Sequence, residues 1–345
     1  MKIAIIGSGL VGRVMGLTLL TEINNISLDF YEKSNDFNGN TSCGHAAAGM
    51  VAPICELIEN NIDLYHLGQK SIPIWSCFNQ LLQEKIFSLS KTWVLAHQYD
   101  KNEFNAFKQK IYGFDINHTL LKEKELCREE IDKNAFNYNL LNHYIEVDGE
   151  GYVDTDLFFK QSCDFFAMAK EKVRIYTNRD ICSAEINTLK QQYDWVIDTR
   201  GMGAKENLPN LYGIRGEALL IHAPNVHIQN VIRLCHPRYP LYIVPRKNHH
   251  YYIGASIIQN DDYSDISLKS MMDLLSALSV ISHQFLEARV VKTYAQVRPT
   301  FNTGMPKSII HDNIISINGF YRHGYLLSPV LCKQVITNHI LEKTI

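Results

Sequence analysis

Lys2-Ile3-Ala4-Ile5-Ile6-Gly7-Ser8-Gly9-Leu10-Val11-Gly12 decides the architecture of this chain. Five residues rich in β-branched side chains read as a buried parallel strand, and they run straight into a G-x-G-x-x-G turn. Beyond the turn, Val11, Val14, Met15, Thr18 and Leu19 recur at helical spacing, so one stripe can pack on a sheet. Glycines in the turn let the backbone approach a pyrophosphate at the helix N-terminus. Ser27 to Tyr31 then predicts a second strand, ending at Glu32, twenty residues after Gly12, where an acid would accept hydrogen bonds from a ribose. Together these form an ADP-binding βαβ unit, with Gly7, Gly9, Gly12 and Glu32 as its contacts.

Working outward, Asn40 to Pro53 is dense in small residues, among them Thr41, Ser42, Ala48, Gly49 and Met50. Small side chains there allow the backbone to pass close to something large and flat, although an Ala-rich helix start would read the same way. Val173 to Tyr176 and Trp195 to Asp198 predict further strands, the second followed by Thr199-Arg200-Gly201-Met202-Gly203, the strand-then-glycine arrangement at which α/β sheets place ligands. Asp156 to Glu171 predicts a helix. Residues 100–133 read as solvated, mixed-charge helices, and Gly149 to Asp154 as a turn leading into a short extended segment.

From Gly213 to about Ile258 the period becomes two, with strands at Leu241–Arg246 and Tyr251–Ser256 around a polar turn, which predicts an antiparallel sheet. A helix follows from Leu268 to Phe285, then a turn-rich segment from Val297 to Pro306, a strand at Ile314–Gly319, and a final helix from Val330 to about Leu341. The fold class is therefore α/β.

At 345 residues the length suits two domains or one large α/β unit. A net charge of −2 with no basic stripe argues against nucleic acid as a partner. The longest apolar runs fall well short of the ~20 residues that span a bilayer, so no membrane span is expected. The N-terminal apolar run is too short for a secretory signal. None of the eight cysteines forms a C-x-x-C pair, and the histidines lack ligand spacing. We therefore expect reduced thiols, a cytoplasmic location and no metal.

The chain resembles the D-amino-acid oxidase superfamily of flavoproteins, nearest the glycine oxidase of bacterial thiazole synthesis. The resemblance rests on the N-terminal glycine motif with Glu32, on A-A-A-G-M-V-A-P, on V-I-D-T-R-G-M-G-A before G-I-R-G-E, on H-P-R-Y-P-L-Y-I-V-P-R with G-A-S after it, and on V-R-P and Y-R-H-G-Y-L-L-S-P near the end. It implies a Rossmann-type FAD-binding domain made of residues 1–85, 148–212 and 295–345, and an inserted substrate domain of residues 86–147 and 213–294 whose antiparallel sheet covers the flavin. It implies noncovalent FAD, since covalent members use a cysteine near the flavin and none lies between Val297 and Leu331.

Carried over by position, Thr41, Ser42 and Ala48 to Met50 would run along the flavin and Ile181 would lie near the adenine. Thr199, Gly201 and Met202 would approach the pyrophosphate or ribityl chain, and Arg322, His323, Gly324, Tyr325 and Leu326 would sit by the isoalloxazine. Arg298 matches the family's carboxylate-binding arginine and Tyr242 its hydroxyl donor; with Arg322 they are the expected catalytic set. By residue type alone, Arg298 would also suit a surface ion pair, and Tyr242 a half-buried strand position nearly as well as a substrate contact. The implied reaction is hydride transfer from an amine or small amino acid to flavin, with O2 as reoxidant and H2O2 as product. His45, His323 and Tyr325 depart from the glycine oxidase pattern. This leaves open a second function, oxidation of a partner protein's side chains in the biogenesis of a protein-derived quinone cofactor.

Overall fold

The structure, a computed structural model, describes residues 1–59, 61–237 and 241–342. Arg238, Tyr239 and Pro240 of the H-P-R-Y-P block lie outside the described residues. In chain order the elements begin with β1 (Lys2–Ile6), α1 (Leu10–Glu22), β2 (Ser27–Tyr31), β3 (Met50–Val51), α2 (Ile62–Leu81), β4 (Phe87–Ala96), α3 (Lys101–Tyr112), β5 (Leu121–Glu125), α4 (Arg128–Asn134), β6 (His143–Val153) and α5 (Thr155–Met168). They continue through β7 (Val173–Tyr176), α6 (Ser183–Leu189), β8 (Trp195–Asp198), β9 (Tyr212–His222), β10 (Val231–Cys235), β11 (Leu241–Arg246), β12 (His250–Gly254), α7 (Leu268–Ile281), β13 (Arg289–Thr300), β14 (Lys307–His311), β15 (Ile314–Asn318) and α8 (Gly324–Val335).

Two sheets organise the described residues. The first runs β14-β15-β8-β1-β2-β7, parallel except for β14, with Ile3, Ile5, Leu28 and Ile197 wholly buried under α1 and α8. The second runs β13-β9-β12-β11-β10-β4-β6-β3, with β5 beside β6, and is antiparallel apart from the β10–β4 pair. This is the α/β fold the sequence predicts.

Four expectations need correction. Gly149 does not end a turn: it sits at φ +77 inside the eleven-residue strand β6. The 100–133 segment is not wholly helical, because Leu121–Glu125 pairs with β6; with only Leu121 buried, such an edge strand carries almost no apolar alternation to read. Val297–Thr300 is not turn-rich but the end of the long strand β13, which tolerates Pro299 because it lies at the sheet edge.

The last helix starts at Gly324, six residues earlier than expected. Pro329 supplies no N–H to the Tyr325 carbonyl one turn back, and the indole N–H of Trp75 on α2 donates to that carbonyl instead, at 2.8 Å. Trp75 also stacks on the Tyr325 ring with centroids 5.7 Å apart. Gly68 on the same helix makes room for Leu326, which a Cβ there would meet at 2.5 Å.

Candidate active site

A cavity of about 570 Å³ lies between the two sheets, lined by residues from both. Its floor is the turn after β1. Gly7 takes φ +91, and a Cβ at Gly12 would fall 2.1 Å from the Gly7 carbonyl oxygen, so α1 can seat against the turn only through glycine. Gly12 therefore acts by packing and does not line the cavity, whereas Gly7 and Gly9 do. Buried Arg13 braces the turn from behind: its Nε donates to the Ser8 carbonyl at 2.9 Å and its Nη atoms to the carbonyls of Phe37 and Phe159 and to Ser162 Oγ. Glu32 stands at the end of β2. Its Oε2 accepts the Ser8 N–H at 2.8 Å and the Ser8 hydroxyl at 2.7 Å, and its Oε1 accepts the Ser34 N–H at 3.0 Å. Burial would raise this carboxyl, but the Ser34 and Ser8 hydrogen bonds outweigh it and hold it below the usual range.

The small-residue run forms another wall. Its carbonyls are pinned by three side chains: Tyr325 Oη donates to Gly44 at 3.0 Å, Tyr252 Oη to Ala46 at 2.7 Å and Arg246 Nη2 to Ala48 at 2.7 Å. His45 faces away, with its Nε2 3.0 Å from Asp156 Oδ1 and its ring edge-on to Phe159. Of the other predicted residues, Thr41, Ser42, Ala48, Gly49, Met50, Ile181, Thr199, Gly201, Met202 and Arg322 to Leu326 all line the cavity, as do Tyr242 and Arg298. Arg200 links two of these segments, pairing with Asp198 at 2.8 Å and donating to the Ile181 carbonyl at 2.7 Å.

Three groups missed in the sequence shape the chemistry: Glu56, Arg233 and Gly216. Glu56 is held by the turn at Cys55–Glu59, whose start is fixed by buried Glu150 accepting the N–H groups of Ile54 and Cys55. Arg322 reaches Glu56 Oε2 through Nε at 3.3 Å, Glu59 Oε1 through Nη1 at 3.2 Å and the Tyr242 hydroxyl through Nη2 at 3.0 Å. The Tyr242 hydroxyl accepts from Arg233 as well and gives its one proton to Glu56 at 3.0 Å. Its expected donor capacity is thus spent within the protein. No spacing in the sequence marks Glu56, and only the fold brings it here.

These charges shape one another. Burial works against the Arg322 cation, but Glu56 and Glu59 overcome it and hold the guanidinium above its ordinary value. Burial would likewise raise Glu56, and Arg322, His323 and Arg233 bring it below the usual carboxylate range. His323, with Nδ1 3.4 Å from Glu56 Oε2, is pushed down to about 4 by burial, with Arg322 and Arg298 adding to the effect against Glu56. It is neutral at physiological pH.

Arg298 stands apart. Its guanidinium lies flat against Gly216 of β9, where a Cβ would come 2.0 Å from Nη2, and Nη1 donates to the Ser256 carbonyl at 3.1 Å. Among the described residues no carboxylate pairs with it.

Residues 2–337 match the family model DAO, FAD dependent oxidoreductase. The chain belongs to that family. Its cofactor is accordingly FAD, and the geometry suits it: a glycine turn a side chain would block, an ordered acid at the end of β2, and a wall of exposed small-residue backbone. Over 99% of this chain and 98% of its own length, a Rhizobium etli protein named as a thiamine biosynthesis oxidoreductase, ThiO, is 28% identical. Glycine oxidase from Geobacillus kaustophilus has a similar structure, with TM-score 0.76 at 19% identity over 99% of this chain and 95% of that one. Iminodiacetate oxidase from Chelativorans sp. BNC1 is similar with TM-score 0.78 at 16% identity over the same shares. Among the described residues, no helix is long and apolar enough to cross a membrane and no cluster of side chains could hold a metal ion.

Proposed function

We propose that this FAD-dependent oxidoreductase oxidises the C–N bond of glycine or another small amino acid or amine, with O2 as final electron acceptor and H2O2 as product. The observation that carries the reading is Arg298, a cavity-wall guanidinium that, among the described residues, has a single carbonyl partner and no carboxylate. Its planar fork suits two parallel hydrogen bonds to a substrate carboxylate. The chemistry that FAD supplies when bound is acceptance of a hydride from the substrate α-carbon. The protein's share is binding and field. Arg298, which pairs with no carboxylate among the described residues, disfavours a second positive charge beside it, which favours the neutral amine, and His323 stays unprotonated.

In the same reading FAD is held noncovalently. Gly7, Gly9 and Glu32 hold its ADP half, with Gly12 seating the helix against the turn, Ile181 near the adenine and Thr199, Gly201 and Met202 along the pyrophosphate or ribityl chain. Thr41, Ser42, Ala48 to Met50 and Arg322 to Leu326 lie by the flavin. The cofactor domain (residues 1–85, 148–212 and 295–345) is built on the first sheet and the substrate domain (86–147 and 213–294) on the second, with β3 pairing in the second sheet and β6, β9 and β13 running across three of those boundaries.

Anaerobic mixing with glycine, sarcosine or small D-amino acids should bleach the flavin, and air should then yield peroxide. Losing the charge-assisted pair costs about 2–4 kcal/mol, so Arg298→Ala should need roughly 30- to 1000-fold more substrate for the same rate. If no small amine bleaches the wild type, the free amino acid reading fails and oxidation of a partner protein's side chains takes its place. Equal bleaching of both proteins would remove Arg298 from the reaction.

A further inference from the structure

Two guanidiniums face the cavity in unlike company. Arg298 commits one nitrogen to a carbonyl, whereas all three nitrogens of Arg322 are engaged: Nε and Nη2 with Glu56, Nη2 also with Tyr242, and Nη1 with Glu59. They line the same cavity as Tyr321 and His323, on both of which they act. A guanidinium that nearby could take a second carboxylate, but two carboxylates of the protein already occupy its donors.

Resting on the amino-acid reading above, we propose that Glu56 and Glu59 set the substrate class by masking Arg322, so that the site accepts amines with one carboxylate and turns away amines with a carboxylate at each end. A second substrate carboxylate directed at Arg322 would meet Glu56, which lines the cavity beside it, and the charge of Glu59 3.2 Å from the same guanidinium. Rejecting a competitor by like charge is a common source of specificity. Glu59 is the accessible member, 38% exposed where Glu56 is 9% exposed, so its charge can be removed while Glu56 still pairs with Nε and Nη2 of the same guanidinium.

The test uses two non-oxidisable ethers that differ in one carboxylate, methoxyacetate and diglycolate, titrated into the FAD-loaded protein and followed by flavin absorbance and by tryptophan fluorescence. Wild type should bind methoxyacetate at least tenfold more tightly than diglycolate. Glu59→Gln should shift that ratio tenfold or more toward diglycolate while methoxyacetate binding changes less than twofold, and Glu59→Asp, which keeps the charge, should restore discrimination. Equal binding of the two ethers by wild type, or an unchanged ratio in Glu59→Gln, would overturn the masking role and leave the amino-acid reading standing if Arg298→Ala still abolishes methoxyacetate binding. Failure of both ethers to bind a wild type that glycine still bleaches would overturn the masking role alone, and failure of both with no bleaching by any small amine would overturn both.

Discussion

Adding one methyl group at Gly216 tests the proposed carboxylate site without touching a charge. The built Cβ lies 2.0 Å from Arg298 Nη2, 2.2 Å from Cζ and 2.6 Å from Nη1, against an ordinary contact of 3.4–4 Å. The guanidinium must therefore retreat by more than ~1 Å, since Gly216 sits mid-strand in register with Gln296. The backbone does not require glycine there, and the clashing atoms end a flexible side chain, so Gly216→Ala should fold and keep its flavin. Displacing the fork should cost one of two charge-assisted hydrogen bonds, about 1.5–3 kcal/mol, or roughly 10- to 150-fold in KM. Stopped-flow bleaching at varied substrate concentration reads this directly. In the Arg298→Ala background the same methyl should add almost nothing. A wild-type KM in Gly216→Ala, or full additivity with Arg298→Ala, would refute the cradle.

Glu32→Ala should weaken FAD binding by about 1.5–3 kcal/mol through lost ribose hydrogen bonds, measured by flavin release on dilution; unchanged affinity would place the ADP half elsewhere. His323 has its folded pKa lowered from about 6.5 to about 4, so between those values the unfolded chain binds a proton that the folded one refuses. Stability should then fall as pH drops from 6.5 to 4, by on the order of 3 kcal/mol, and His323→Gln should flatten that slope in unfolding curves across the window. Cys43 lines the cavity, but burial pushes its thiol up and away from the reactive thiolate. Acid precipitation should accordingly leave a colourless pellet, and retained yellow would show a covalent bond.

The glycine turn, β1, β2 and β8 were legible because short apolar runs bounded by glycine or an acid carry the whole signal locally. So was the β11–β12 hairpin, two apolar runs around a polar turn that prove buried on both faces rather than alternating; Pro245 is tolerated because it pairs only with Tyr251, beyond the reach of β10. β5 was hidden because an exposed strand spelled Leu-Lys-Glu-Lys-Glu looks like a helix surface. The start of α8 was hidden because its missing hydrogen bond is completed by Trp75, 250 positions away in sequence. Site residues fixed by backbone shape, such as Gly7 and Gly49, could be read directly. Those defined by their partners could not: Glu56 acquires its part only from Arg322 and Tyr242, and Gly216 only from the arginine lying on it.

The Trp75–Tyr325 hydrogen bond also bears on the order in which the molecule is built. β15 enters the first sheet beside β8, and α8 packs on both α1 and α2, so the cofactor cavity draws one wall from the first fifty residues and another from Ile317 to Leu326. A growing chain can form the β1–α1–β2 unit early, yet α2 has no partner for its indole N–H until Tyr325 has left the ribosome. Contacts of such long sequence separation are slow to close. A nascent chain stalled before β15 would therefore lack the Ile317 to Leu326 wall of the cavity and leave the glycine turn open to water.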